Sequence, residues 1–266
     1  MTILTVDDIA SGLASAQNIN YLKVFGTPKA VGTFQSGWMA TGTPGAGVAS
    51  PAYTSGTGYS CDKTLAGSVQ FTNAAVQSWI SRLSLSSTQP GTLIIADRIW
   101  SCSGMGFAAG TYTVTTPGTL PARITDSGVA CELWIEQFVS AGSASGTLTA
   151  NYLNTASAAK SGVIAAVQSS PASGQMQIVP FTAGDLGISQ LTSIVTSATW
   201  TSGTFGATIL KRIIEIPIVS ANIGVALDWS LLGLPKIPAT ACLFAYFLCA
   251  TATAPTVVGT FDIIDK

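Results

Sequence analysis

The stretch Cys131-Glu-Leu-Trp-Ile-Glu-Gln-Phe-Val139 sends Leu133, Ile135 and Val139 to one side of an extended chain and Glu132, Trp134, Glu136 and Phe138 to the other. A period of two is the signature of a strand, and it recurs. Thr111-Tyr-Thr-Val-Thr-Thr116 alternates in the same way, and Gly91–Trp100 is β-branched enough for a buried strand. Val76–Leu85 places Trp79, Leu83 and Leu85 on one face. Between such segments lie turn-forming runs, among them Thr41-Gly-Thr-Pro44-Gly-Ala-Gly47 and Thr54-Ser-Gly-Thr-Gly58. Short strands at close spacing with Gly, Ser, Thr and Pro between them predict an all-β, mainly antiparallel fold of the sandwich or jelly-roll type.

One helix is expected. Thr5 can cap Val6–Leu13, Asp7 and Asp8 suit its first turn, and Ile9 and Leu13 form an apolar stripe weakened by Gly12. It reads equally as an arm that docks on another subunit or as a helix packed on its own domain. The chain has 266 residues, room for one large β-domain or two smaller ones sharing a core. A faint repeat suggests two related β-units. Ile95-Ala-Asp-Arg98-Ile99 resembles Ile209-Leu-Lys-Arg212-Ile213, and Ala130–Phe138 resembles Ala241–Cys249. The expected division is an N-terminal helix or arm at 1–31, a first β-unit at 32–155 and a second at 156–266.

Composition narrows the function. Charged residues are 9 % of the chain against roughly 25 % in an ordinary soluble domain, and 47 % are hydrophobic, so disorder is a poor fit and a packed core is expected. Net charge is −1 with no Lys/Arg run, which gives nucleic-acid phosphates nothing to bind. Few charges imply a surface of hydroxyls, amides and small side chains, suited to burial against copies of itself or neighbours. The amino terminus lacks the basic region and apolar core of a signal peptide, so synthesis in a cytoplasm is expected. Residues 237–261 carry no charge, but Pro238 and Pro255 bracket an apolar centre too short to span a membrane, and a buried strand is expected there. Five cysteines, Cys61, Cys102, Cys131, Cys242 and Cys249, form no C-x-x-C pair, and their odd number argues against a closed internal disulfide framework. Buried thiols are one reading and bridges between chains the other.

Catalytic constellations fare badly. The chain has no histidine, which removes His-dependent triads and the commonest general base. Ser157-Ala-Ala-Lys160 has the S-x-x-K spacing, but in a loop-like stretch with no K-T-G partner. Gly104-Met-Gly106-Phe-Ala-Ala-Gly110 has dinucleotide-loop flavour at the wrong spacing and without βαβ context, so it reads as a turn. Asp97, Asp126, Asp185, Glu132 and Glu136 are the acids that a glycosidase pair would need. Glu132 and Glu136 would lie about 13 Å apart on one strand face, which suits neither glycosidase geometry, and they read as solvated or interface charges. Asp62, Asp126, Asp185 and Asp228 are scattered, so no calcium loop is visible. Trp38, Tyr53, Tyr59, Trp100, Tyr112, Trp134, Trp200 and Trp229 could line a carbohydrate site but are expected mainly as core or interface anchors. No catalytic residue, cofactor or metal ligand is assigned, and the chain is expected not to be an enzyme.

Several stretches together carry a family likeness: Trp38–Gly47, Phe71-Thr-Asn73, Gly91–Trp100, Phe181–Ile188, Leu231–Pro238 and Ala241-Cys-Leu243. They resemble tailed-bacteriophage virion proteins of the head-decoration, or cement, type. The resemblance implies a structural protein on the capsid exterior, often a homotrimer, that ties the major capsid protein lattice together without catalytic residues, nucleic acid or membrane. The alternative expectation is a phage receptor-binding or tail-fibre module that recognises glycan.

Overall fold

The computed structural model describes residues 5–49, 58–72, 77–106, 108–114, 120–142, 146–167 and 171–265. In chain order its elements are α1 (Val6–Ala14), β1 (Gln17–Val24), β2 (Phe34–Ser36), β3 (Thr41–Thr43), β4 (Tyr59–Ser60), β5 (Ser78–Ser87), β6 (Gly91–Gly106), β7 (Gly110–Thr113) and β8 (Cys131–Val139). They continue with β9 (Leu148–Asn154), β10 (Ala159–Ile164), β11 (Gln175–Ile178), β12 (Ile188–Thr196), β13 (Thr204–Ile218) and β14 (Val225–Asp228). After α2 (Trp229–Leu232) come β15 (Lys236–Ile237), β16 (Leu243–Cys249) and β17 (Thr256–Asp265). The fold is all-β, and every ladder joining these strands is antiparallel.

The middle layer closes on itself. Its strands run β13-β8-β11-β2-β16-β6, and β6 pairs back onto β13 along the whole of both strands. Closure leaves no free edge around that ring. β4 is appended to β6, on the edge that β16 also uses. The outside of the barrel is covered twice. One sheet, β14-β5-β17-β1-β3 with β15 beside β5, packs over Leu93, Ile95, Ile214, Ile216, Leu243, Ala245 and Phe247. A second, β10-β9-β12-β7, packs over Cys102, Leu133, Ile135, Phe205, Ala207 and Ile209. The barrel interior holds a third cluster that includes Trp38, Trp134, Leu210, Phe244 and Tyr246. Thus β16 is apolar on both faces because one meets a sheet and the other fills the barrel, the strand expected within 237–261. No helix among the described residues is long and apolar enough to cross a membrane.

The expected helix forms at α1. The Thr5 side chain accepts from the Asp8 N–H at 3.2 Å, and the Asp8 carboxylate accepts from the Thr5 N–H at 3.1 Å, a reciprocal cap. Its packing face differs from the expected stripe. Ile9 is buried, but Leu13 is 39 % exposed, and Gly12 is the other contact residue. A methyl group there would stand 3.2 Å from Ile264 Cδ1, so the missing side chain lets the helix lie on β17 of its own sheet.

Strands from 32–155 and 156–266 alternate within each of the three sheets, and β1, from the first 31 residues, pairs with β17 along its full length. Of the segments that resemble each other, the Ile95 and Ile209 stretches share their facing, but the two cysteine segments do not. Cys131 lies between the barrel and a covering sheet, whereas Cys242 lies inside the barrel.

Candidate functional site

A β-bulge sets the chemistry of the barrel interior. Across the β6–β13 ladder Trp100 faces Ile209 and Arg98 faces Leu210, so Ile99 is an extra residue on β6. The bulge reverses the alternation and points both Arg98 and Ser101 inward. Arg98 is fully buried. Its Nη2 lies 2.7 Å from Glu136 Oε2 and donates to Ser101 Oγ at 2.7 Å. The Thr208 hydroxyl donates to Glu136 Oε2 at 2.9 Å and lies 3.3 Å from Ser101 Oγ. Above the guanidinium, Trp38 is centred at 4.6 Å and Phe244 at 5.5 Å. Burial alone would lower the Arg98 pKa, but the neighbouring Glu136 carboxylate outweighs it and holds the group charged above its ordinary value. The expectation that Glu136 is a solvated or interface charge is corrected. It is 1 % exposed, because β8 turns its even-numbered residues into a closed barrel.

A second ion pair sits at the edge of an open cleft of ≈ 860 Å³ between 122–125, 211–213 of β13 and 235–239. Arg123 holds Asp97 with two nitrogens, Nε to Oδ2 at 2.8 Å and Nη2 to Oδ1 at 3.0 Å. The same Nη2 donates to the Cys61 carbonyl at 2.6 Å and the Arg98 carbonyl at 3.1 Å, while Asp97 Oδ1 accepts the Cys242 N–H at 2.9 Å. The other two cations lining β13 are also matched, Lys211 by Asp126 and Arg212 by Glu132 and Glu215. Among the described residues lining this cleft Asp97 is the only carboxylate, and both its oxygens are engaged.

The remaining sequence candidates are dispersed. Asp126 is held below the usual carboxylate range chiefly by the hydrogen bond from Lys211. Asp185 accepts from Tyr152 Oη at 2.7 Å and Asn154 Nδ2 at 2.8 Å, Asp62 accepts from the Thr64 N–H, and Asp228 caps α2. Each of these acids fixes a loop or an element end. Ser157 occupies the turn between β9 and β10, whereas Lys160 is on β10 opposite Tyr152, so the two do not share a helix face. Gly104 and Gly106 end β6 and Gly110 begins β7, as a connection between strands requires, while Phe107 lies outside the described residues. Trp38, Trp100, Trp134 and Trp200 are buried, Tyr59, Tyr112 and Trp229 are half-buried, and Tyr53 lies outside the described residues. Trp134 packs edge-on against Phe34 at 4.8 Å and Tyr246 at 5.2 Å, an aromatic filling of the barrel. All five cysteines are buried free thiols, which leaves none at the surface of the fold for a bridge to another chain.

The outer face of the first covering sheet has the opposite character. Along one row Ser86, Val258, Leu22 and Thr43 stand side by side on β5, β17, β1 and β3. Along the next row stand Ser84, Thr260 and Asn20. Leu22, Val24 and Val258 are 38 %, 45 % and 49 % exposed. No charged side chain interrupts these rows until Arg82 and Asp262, which face each other further along the ladder. The one charge of β1 goes inward. Lys23 is 1 % exposed, its Nζ donates to the Ala40 and Gly45 carbonyls at 3.0 and 3.1 Å, and burial pushes its pKa down to about 8. Alternation predicts inward and outward faces, but no local signal marked β1, since Lys and two Asn in eight residues argue against a strand buried on one side.

No family model and no curated protein matches the chain. Among solved structures it is similar to infectious bursal disease virus, Gx strain, at 11 % identity over 93 % of this chain and 79 % of the other, with a TM-score of 0.19. Particles of T=1 type derived from the same virus match at 12 % identity over 98 % and 83 % of the two chains, also at 0.19. TM-scores this low establish no shared fold.

Proposed function

We propose that this chain is a structural virion protein that binds and reinforces a bacteriophage capsid as a decoration, or cement, subunit, and that it performs no catalysis. The carrying observation is the uncharged outer face centred on Leu22, Val24 and Val258, ringed by Ser and Thr hydroxyls. A flat sheet face of this kind loses little on desolvation and gains from apolar burial against a complementary surface. Repeated over a lattice, a modest contact sums to firm attachment. The barrel supports the same reading. Its closure, and the pairing of its buried charges with one another, suit a rigid spacer. A homotrimer on the capsid exterior is the assembly that the sequence resemblance favours. The glycan-binding alternative has less support, since four of its candidate indoles are buried.

The test is cosedimentation of the purified protein with capsid shells of its own phage that lack it, followed by thermal rupture of the loaded shells. The expected result is saturable binding with a raised rupture temperature. Protein that stays in the supernatant at all shell concentrations would refute the proposal.

A further inference from the structure

Cys61 and Cys242 meet end to end on one edge of β6. The Cys61 N–H donates to the Ile99 carbonyl at 2.9 Å, and the Cys242 carbonyl accepts from the neighbouring Arg98 N–H at 2.9 Å. Both side chains lie in the interior cluster, where each is fully buried and the two thiols are neighbours. Their backbones are clamped from the cleft side. Arg123 binds the Cys61 carbonyl and Asp97 binds the Cys242 N–H. From the barrel side, the Arg98 guanidinium lies on Trp38 and Phe244 of the same cluster, and among the described residues its Nε and Nη1 have no hydrogen-bond partner. A buried guanidinium with unmatched N–H groups is a standing cost that a sulfur anion would relieve.

We propose that Cys61 and Cys242 form a latent internal disulfide, closed by reaction with a peroxide. Burial pushes the Cys61 thiol up, but the neighbouring Cys242 thiol and the Arg98 and Arg123 charges outweigh it and hold Cys61 below the ordinary thiol value. Cys242 is raised, so Cys61 is the attacking sulfur. Its thiolate attacks one oxygen of hydrogen peroxide and the O–O bond breaks. Cys61 becomes a sulfenic acid, and the departing hydroxide takes up the proton that Cys61 released. The Cys242 sulfur then attacks the sulfenic sulfur, the S–O bond breaks and the S–S bond forms. The second oxygen leaves as water with the Cys242 proton. Two thiols and one peroxide thus give one disulfide and two waters, and the two electrons lost by sulfur reduce the peroxide oxygens. Burial pushes Cys102, Cys131 and Cys249 up to about 12, which keeps them protonated and slow.

The experiment uses the isolated full chain and does not depend on any role in a virion. Folded protein is treated with hydrogen peroxide, blocked with an alkylating agent, digested and mapped by mass spectrometry without reduction. The expected product is a single linked peptide pair joining Cys61 to Cys242, with the other three cysteines alkylated. The oxidised protein should melt about 5–10 °C higher, because the link spans a long loop, and dithiothreitol should reverse the shift. Cys242→Ser should lose both the link and the shift. Five alkylated cysteines after treatment, a link through any other cysteine, or Cys61 over-oxidised without a link would each overturn the proposal. These readings come from the wild-type protein and stand even if the variant fails to fold.

Discussion

The barrel interior and the outer face of the β1–β17 sheet invert the usual distribution of charge. Inside the barrel a full ion pair, Arg98–Glu136, is 0 % and 1 % exposed and wrapped in hydroxyls and aromatic rings. On the outer face, Leu22, Val24 and Val258 stand among Ser, Thr and Asn. One strand shows both halves of the pattern, since β1 sends Lys23 inward and its two neighbours out. A chain with so few charges, several of them inside, has its charges fixing particular geometry, while this outer face is left uncharged.

The most direct way to break the comparison is at the ion pair. Glu136→Gln leaves Arg98 charged and unmatched, and urea unfolding should report a loss of about 3–5 kcal/mol. Joint replacement by Arg98→Met and Glu136→Leu should recover most of that loss, and failure to do so would assign the pair a larger role in packing than in charge matching. Lys23 sharpens the same point through pH. Its folded value of about 8 lies below the ordinary 10.5, so the cost of burying its charge is fully present below about pH 8. Between those values the unfolded chain holds a proton that the folded chain has released, and stability rises with pH. The measurement is unfolding at about pH 7.5 and pH 9.5 in the wild type and in Lys23→Met, in which this rise should be absent. The smallest effect on stability is expected on the other side of β1. Leu22→Lys should change stability by less than about 0.5 kcal/mol while abolishing cosedimentation with shells. Unchanged cosedimentation would remove the outer face as the adhesive surface.

The sequence revealed strands where the alternation was long and unbroken. β8 shows the expected faces as far as Glu136, but Phe138 is the extra residue of a bulge against β13, and Val139 beyond it is 56 % exposed. In β5 the expected face of Trp79, Leu83 and Leu85 fails, because Arg82 faces Asp262 while Ile80 faces Ile263, which makes Ser81 a bulge. The bulge puts Ile80 with Leu83 and Leu85 in the core and turns Trp79 away. β2 is three residues in a stretch that reads as turns, yet it bridges β11 and β16 and completes the ring. Closure depends on pairings between distant segments that no local pattern encodes. The interior ion pair was hidden for the same reason. Arg98 and Glu136 become neighbours only through β13, which pairs with both β6 and β8. A reader of the sequence could have noticed that Asp97 and Arg98 are the only charges in the β-branched run Gly91–Trp100, and that alternation sends them to opposite faces, so that each needs a partner of its own.

The pairing of β1 with β17, in which Gln17 lies opposite Ile263, also has a kinetic consequence. The sheet that carries the outer face cannot be completed until β17, the last of the described strands, has been made. Hairpins such as β9–β10 can zip early, but the closing of this sheet carries the entropy of the long loop between Val24 and Thr256. The outer face therefore comes into being after the local hairpins, which on the proposed function would delay sticking between nascent copies.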